Sequence, residues 1–479
     1  MAEGGDGERS SDNPRVAAHC RNNPYEEESK EVCILMSWLG YGPECRQKRR
    51  ACYSEYARLW SAYFESLGLF NCIFTGSKSE GLSCYMENDT DMLSVVSNVV
   101  CLEDCLHIKD IPDDTVAFLM DTKYTYPGYY RLFLVRRNDI LWDIEEALCD
   151  DGRGNVLLSS DLFADIIPGV ERSGPSTPLV FLQMHHDRVL ALRCHSTVLL
   201  KKWAERSRHW PPFEVVNKVI SFGACLSPVG FKESPHRHLE WRICFNSGET
   251  EIMNSLSDTQ LKIYVMLKMI VKDVLRPQHK EVTSYTLKNI ILWQAESYPQ
   301  TLFSERNFFY WLREGLGKLK IAIATKHMKY YMIPERNLME GCRLRPNQQS
   351  KWISVITEMM NEGPRIILRL EKIRKAVIAY PEPLMWYSKM RTELEMLMLE
   401  GMVRQHLFLG ENDFVSNEND MSVIEHLMLT LSRMCVLSDN IIGELLARAL
   451  EIVQTIAFNL NVSSLDACMI LQILYRMLS

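Results

Sequence analysis

The residues whose types and spacing could do chemistry are Thr75-Gly76-Ser77-Lys78-Ser79-Glu80-Gly81, followed by Asp89-Thr90-Asp91. The run Asn71-Cys72-Ile73-Phe74-Thr75 reads as a short strand that ends at Gly76-Ser77. A glycine there lets the backbone turn so that amides can face an anion. A helix starting at that turn would add favourable partial charge for a triphosphate, and the Ser77 hydroxyl can donate one more hydrogen bond. Asp89 and Asp91 stand two apart on a second strand, so their carboxylates share a face. That arrangement suits two Mg²⁺ or Mn²⁺ ions about 3.5–4 Å apart, one on an attacking oxygen and one on the triphosphate. Mg²⁺ favours a few carboxylates completed by phosphate oxygens and waters. A third carboxylate should come from another strand. The best candidate is Asp187, which leads the apolar run Val189-Leu190-Ala191-Leu192.

Each piece also has an ordinary structural account. A Gly-Ser pair is a common turn, two alternating aspartates are a common solvated strand, and an acid often caps a strand end. It is their order along the chain that points to metal-assisted nucleotidyl transfer. His185-His186 with Cys194 could suggest zinc, as could Cys101, Cys105 and His107. No second ligand pair accompanies either group, and buried thiols with a surface histidine account for them better.

The chain has 479 residues, 47% of them hydrophobic and 24% charged, enough for one large core or several smaller ones. Its formal net charge of −7 argues against a generic nucleic-acid coat. Residues 1–32 carry eight acids and four bases, which leaves −3 for all that follows, so a local basic face stays possible. Fifteen cysteines without paired CxxC spacing read as reduced thiols in a cytosolic or nuclear setting. The first residues contain no apolar h-region, and no stretch approaches the ~20 apolar residues of a membrane span. A soluble, cytoplasmic protein without membrane contact is expected.

The elements needed to hold these residues fall in a definite order. Residues 1–32 read as a disordered acidic tail. A long helix follows, with Leu59, Trp60, Tyr63 and Phe64 at helical spacing and a basic cluster of Arg46, Lys48, Arg49 and Arg50. Strand-like runs recur at Tyr130 to Val135, Val189 to Leu192 and Trp241 to Phe245. From about Ile252 the pattern is helical: Gln260 to Val274, Ser284 to Glu296, Phe308 to Ala324 and Trp352 to Ala376. A polar loop spans Gly410 to Asp420, and Met421 to Ser479 again reads as helix. The expected fold class is α+β: a mixed β-sheet lobe, an all-helical lobe and extra C-terminal helices, which the resemblance described next makes a bilobal nucleotidyltransferase fold. The expected domains are the tail 1–32, a core 33–250 with its long N-terminal helix (the nucleotidyltransferase core, on that resemblance), a helical lobe 251–375, and a helical extension 376–479.

In this order the motifs resemble the cyclic GMP-AMP synthase-like receptors, within the wider Mab-type nucleotidyltransferases. The collinear set is Thr75-Gly76-Ser77 with Glu80, Asp89/Asp91, the Asp187 strand, and Trp241-Arg242-Ile243-Cys244-Phe245 with Glu249. Leu267-Lys268, Ser284-Tyr285 with Lys288, and Pro334-Glu335-Arg336-Asn337-Leu338 complete it, over residues 33 to 375. The resemblance implies that Gly76 and Ser77 cradle phosphate, and that Asp89, Asp91 and Asp187 form the metal triad. It implies a nucleobase contact for Arg242 and a nucleotide-binding place for Glu249. Lys268 and Ser284 become triphosphate contacts, and Tyr285 a ring stacked on a base. It further implies a cyclic dinucleotide made from ATP and GTP in an innate-immune sensor, with a downstream receptor for the product. Arg46, Lys48, Arg49, Arg50, Lys318 and Lys320 would contact phosphates of activating double-stranded RNA, with possible homo-oligomers on that ligand. Residues 246–268 lack the His/Cys insertion of the vertebrate DNA sensor, so no zinc is expected and double-stranded DNA becomes a weaker activator. Asp89 stands where that sensor has Glu, which keeps the charge. The competing readings are a catalytically silent Mab-type scaffold, an RNA-binding protein without chemistry, and a transferase that extends RNA ends.

Overall fold

The structure is a computed structural model. It describes residues 22–85, 87, 89–138, 144–166, 172–181, 184–195, 198–275 and 281–408, with 16, 20, 448, 451, 452 and 455 singly. The expected loop at 410–420 and most of the helical run 421–479 lie outside the described residues, as do the side chains of Cys105 and His107. The chain divides into two compact units. One comprises residues 40–198, 222–250 and 381–479, the other residues 1–39, 199–221 and 251–380. This differs from the expected division in three places. Residues 33–39 and 199–221 join the helical unit, and the chain after 380 joins the sheet unit. The acidic tail is also shorter than expected: from Glu26 the chain is helix α1, Glu26–Met36.

Among the described residues the sheet unit holds ten strands, a mixed parallel and antiparallel sheet that fits the α+β class. They are β1 Phe70–Thr75, β2 Thr90–Leu102, β3 Val116–Asp121, β4 Tyr129–Arg136, β5 Leu148–Asp150, β6 Val156–Leu158, β7 Thr177–Phe181, β8 Met184–His195, β9 Ala224–Ser227 and β10 Glu240–Cys244. Strand β2 organises the rest. It pairs with β1 antiparallel, with β3 parallel and with β8 parallel. Almost all of its side chains are buried, which is why Met92 to Val100 reads as a near-continuous apolar run instead of an alternation. The β2–β8 register shifts between Val95 and Val100, and Asn98 sits there with φ +58°. Asparagine tolerates that left-handed conformation better than the β-branched residues around it.

Helix α2, Pro43–Ser66, lies on β1. Its buried face is Arg46, Arg49, Tyr53, Tyr56 and Trp60, a stripe at alternating three- and four-residue steps. Tyr53, Tyr56 and Trp60 form one core with Phe70, Phe74 and Met92. The Ser61 hydroxyl ties this helix to the strand, donating to Cys72 O and accepting from Cys72 N, both at 3.0 Å. A late helix completes that core, contributing Leu394, Leu399 and Met402. The described residues after 380 therefore contribute to the core of the sheet unit.

In the helical unit, the helix Asp258–Ile270 starts at a capping box formed by Ser257 and Gln260. It is buried along most of its length and contacts the helices Ser284–Ser297 and Phe308–Thr325. Gly315 allows the close approach, since a Cβ there would lie 3.1 Å from Leu267 Cδ1. The helical pattern expected from Trp352 to Ala376 is broken instead into Pro346–Glu362, a 3₁₀ segment Gly363–Arg369, and Glu371–Ala379. Gly363 takes φ +57° and Pro364 follows it, which stops an α-helix on both counts. No described helix is long and apolar enough to cross a membrane.

Candidate active site

Strand β1 ends at Thr75, which stands opposite Asp91 of β2. On its other side Asp91 is in parallel register with Asp187 of β8. Register partners in adjacent strands project to one face, so these two acids are neighbours across the sheet. Asp89 precedes β2 by one residue, and all three acids are exposed. The Ser176 hydroxyl donates to Asp187 Oδ1 at 3.3 Å.

After Thr75 the chain turns once, in helix α3, Gly76–Ser79. The turn is closed by Glu80 N donating to Gly76 O at 3.1 Å and Leu82 N to Ser77 O at 2.8 Å. Gly76 has φ +75°, and a Cβ there would meet Asp91 Oδ2 at 2.2 Å. Glycine is thus required twice, for the backbone angle and for the carboxylate against it. Gly76→Ala is expected to lower stability by about 1–3 kcal/mol through the strained angle and to push the Asp91 side chain aside. A denaturant midpoint equal to wild type would show that the turn relaxes freely.

The geometry answers the sequence expectations unevenly. Gly76, Ser77, Asp89, Asp91 and Asp187 lie at one end of the three strands. Among the described residues, however, no three His, Cys, Asp or Glu side chains are grouped as a metal-ligand set. His185 and His186 part to opposite faces: His185 is exposed and His186 buried. His186 packs 5.8 Å from the Phe74 ring and 5.8 Å from Trp60, and burial pushes its pKa down to about 3. It serves the core under α2, not a histidine pair for zinc. Arg242 is half-buried in β10, opposite Ser227 of β9, and Glu249 is buried just beyond it.

Lys78 was not singled out by sequence. It is 4% exposed, donates to Tyr85 O at 2.7 Å, and lies 5.6 Å from the Tyr85 ring. Burial lowers its pKa from 10.5 to about 8. The unfolded chain keeps this proton until about 10.5 while the folded one gives it up near 8, so stability should rise as pH climbs through that window. The rise is up to about 3 kcal/mol. Lys78→Met should flatten this part of the stability–pH curve relative to wild type. Parallel curves for the two proteins would refute the buried ammonium.

In the helical unit, Lys268 is half-buried with its Nζ 5.6 Å from the Tyr264 ring. Ser284 is exposed at the start of its helix, and its carbonyl accepts from the Tyr264 hydroxyl at 3.5 Å. Tyr285 lies 5.7 Å from Tyr330, with Lys288 6.0 Å from the Tyr285 ring and Arg336 5.3 Å from the Tyr330 ring. Cations and tyrosines thus alternate here, a pairing favourable in itself. Tyr264 and Tyr330 carry no motif of their own, so these cation–ring contacts had no local signal in the sequence.

The expected nucleic-acid face on α2 is corrected. Arg46 is 5% exposed and donates to Tyr41 O, and Arg49 is fully buried. Arg50 donates to Glu80 O at 3.0 Å, and only Lys48 of the four is exposed. Lys318 is half-buried with its Nζ 5.7 Å from the Tyr298 ring, and burial lowers its pKa. Lys320 is half-buried too.

A family model, the Mab-21 protein HhH/H2TH-like domain, matches residues 259–357, within the helical unit. Residues 259–357 are thus similar to a Mab-21 C-terminal domain, and the rest of the chain lies outside that match.

Proposed function

We propose that the protein is a nucleotidyltransferase that joins nucleoside triphosphates, ATP and GTP first among them, into a cyclic dinucleotide. The observation that carries this reading is the register of Asp91 with Asp187 beside the Gly76 turn. Asp89, Asp91 and Asp187 offer exposed oxygen donors, which fit Mg²⁺ or Mn²⁺ by hardness and do not fit zinc. When bound, two such ions would neutralise triphosphate charge and favour the ionised hydroxyl nucleophile.

The chain's own residues supply the rest. On the resemblance, the turn at Gly76 and Ser77 is where the triphosphate would sit. Asp187 takes the proton of the attacking ribose hydroxyl as it bonds to the α-phosphorus, and pyrophosphate leaves. A second transfer on the linear product closes the ring. The resemblance assigns Arg242, Glu249, Lys268, Ser284 and Tyr285 to nucleotide binding. We assign activation to double-stranded RNA and a role in cytoplasmic antiviral sensing on the same resemblance. With Arg46 and Arg49 buried, any RNA contact on α2 falls to Lys48 and Arg50.

The test is to incubate purified protein with labelled nucleoside triphosphates and Mg²⁺ or Mn²⁺, alone and with double-stranded RNA or DNA. A phosphatase-resistant product absent from an Asp89→Asn/Asp91→Asn control supports the proposal. No product in any tube, with equal RNA binding by both proteins, favours the silent scaffold or the RNA-binding protein.

A further inference from the structure

The late helix Glu382–Phe408 reaches Cys84 and Tyr85, in the stretch between the Gly76 turn and Asp89. Its Glu395 is fully buried and makes three hydrogen bonds outside its own helix. It accepts from Arg49 Nε at 2.8 Å and from Arg49 Nη2 at 2.7 Å, a bidentate pair. It also accepts from the backbone amide of Tyr85 at 2.9 Å. Arg391, one turn earlier, donates to Glu395 at 3.3 Å and to Cys84 Sγ at 3.2 Å. Arg49 in turn donates to Gly81 O at 3.2 Å and to Gly40 O at 2.7 Å.

These contacts converge on Gly81–Tyr85, the stretch between the Gly76 turn and Asp89. Tyr85 is gripped at both backbone groups, its N–H by Glu395 and its carbonyl by Lys78. Lys78 belongs to the Gly76–Ser79 turn itself. One chain of bonds thus runs from Glu395 through Tyr85 and Lys78 to the turn. Hydrophobic packing of the helix explains Leu394, Leu399 and Met402, but it does not require a buried Arg-Glu-Arg triad. Well-packed apolar residues of similar volume can often replace such triads without loss of stability.

We propose that Glu395 is a positioning residue: through Tyr85 it sets the chain between the phosphate turn and Asp89, making this C-terminal helix part of the candidate catalytic lobe. The metal arm of the test rests on the proposed function, while the exchange arm does not. The decisive variant of the full chain is Arg49→Met/Arg391→Met/Glu395→Met, which keeps an apolar helix contact and removes the grip. Glu395→Gln is the milder second variant, and Glu393→Gln, at an exposed pair with Arg448, is the control. Melting temperature, hydrogen exchange of Gly81–Tyr85 and Mn²⁺ affinity by water-proton relaxation would be measured on each. The expected result is a triple variant that stays folded but melts below wild type, because Tyr85 N–H and the Gly40 and Gly81 carbonyls lose their partners, exchanges on the order of tenfold faster at Gly81–Tyr85, and binds Mn²⁺ on the order of tenfold more weakly. If the triple variant does not fold, Glu395→Gln must show the same two changes in smaller degree. Exchange equal to wild type in a folded variant overturns the proposal. A wild-type protein that binds no Mn²⁺ removes the metal reading alone, since exchange still decides whether Glu395 holds the turn.

Discussion

Asp91→Asn is expected to reduce nucleotidyl transfer on the order of a thousandfold while leaving the fold intact. The argument starts from the register. Asp91 sits between Thr75 and Asp187, on the one strand that touches both the phosphate turn and the third acid. Asparagine keeps the volume and one oxygen but removes the charge that a divalent cation needs. The side chain is exposed, so the fold does not depend on burying it. Loss of transfer without loss of the fold is likewise expected for Asp187→Asn. The measurement is product formation in the labelled-nucleotide assay, paired with a thermal melt of each variant. An Asp91→Asn protein as active as wild type would remove Asp91 from the proposed mechanism. A variant that loses activity only by unfolding would show Asp91 to be structural.

Some of this was readable in the sequence for local reasons. The turn at Gly76 and the alternation of Asp89 and Asp91 are short-range signals, and a two-residue period places both acids on one face without knowledge of the partners. Asp187 stood out because an acid leads an apolar run, but its place beside Asp91 had no local signal, since the pairing of β2 with β8 joins segments far apart in the chain. Strand β3, Val116–Asp121, was missed, since so short an apolar run between loops has no distinctive period. The basic cluster was misread in an instructive way. Arg46, Arg49, Tyr53, Tyr56 and Trp60 fall on one helical stripe, so the periodicity already placed two arginines with the core aromatics. Charge alone had suggested solvent. What no periodicity could supply was the counter-ion, which comes from residue 395. Likewise the late helix reads as generic Leu/Met-rich packing, and its place against α2 depends on long-range contacts.

The arginine correction has its own large consequence. Arg49→Ala should cost about 3–5 kcal/mol of stability, the range for removing one partner of a buried ion pair. Both Arg49 and Glu395 side chains are fully buried and stand 2.7 Å apart. Truncation would strip Glu395 of its bidentate partner and leave Arg391 as its remaining cation, at 3.3 Å. It would also take the donor from the carbonyls of Gly40 and Gly81. Lys48, one residue earlier and exposed, provides the contrast: Lys48→Ala should fall within about ±0.5 kcal/mol. Because the pair is shielded from water, added salt should hardly change the Arg49 penalty. Denaturant unfolding of both variants at low and high salt measures the difference directly. The RNA reading of α2 predicts the opposite pattern, in which both arginine and lysine truncations spare stability and both weaken RNA binding with a smaller salt slope. An Arg49→Ala protein as stable as wild type would return Arg49 to the surface and reopen α2 as a nucleic-acid face. A large, salt-insensitive loss confined to Arg49 would fix it as the internal anchor between α2, the Gly81–Tyr85 chain and the late helix.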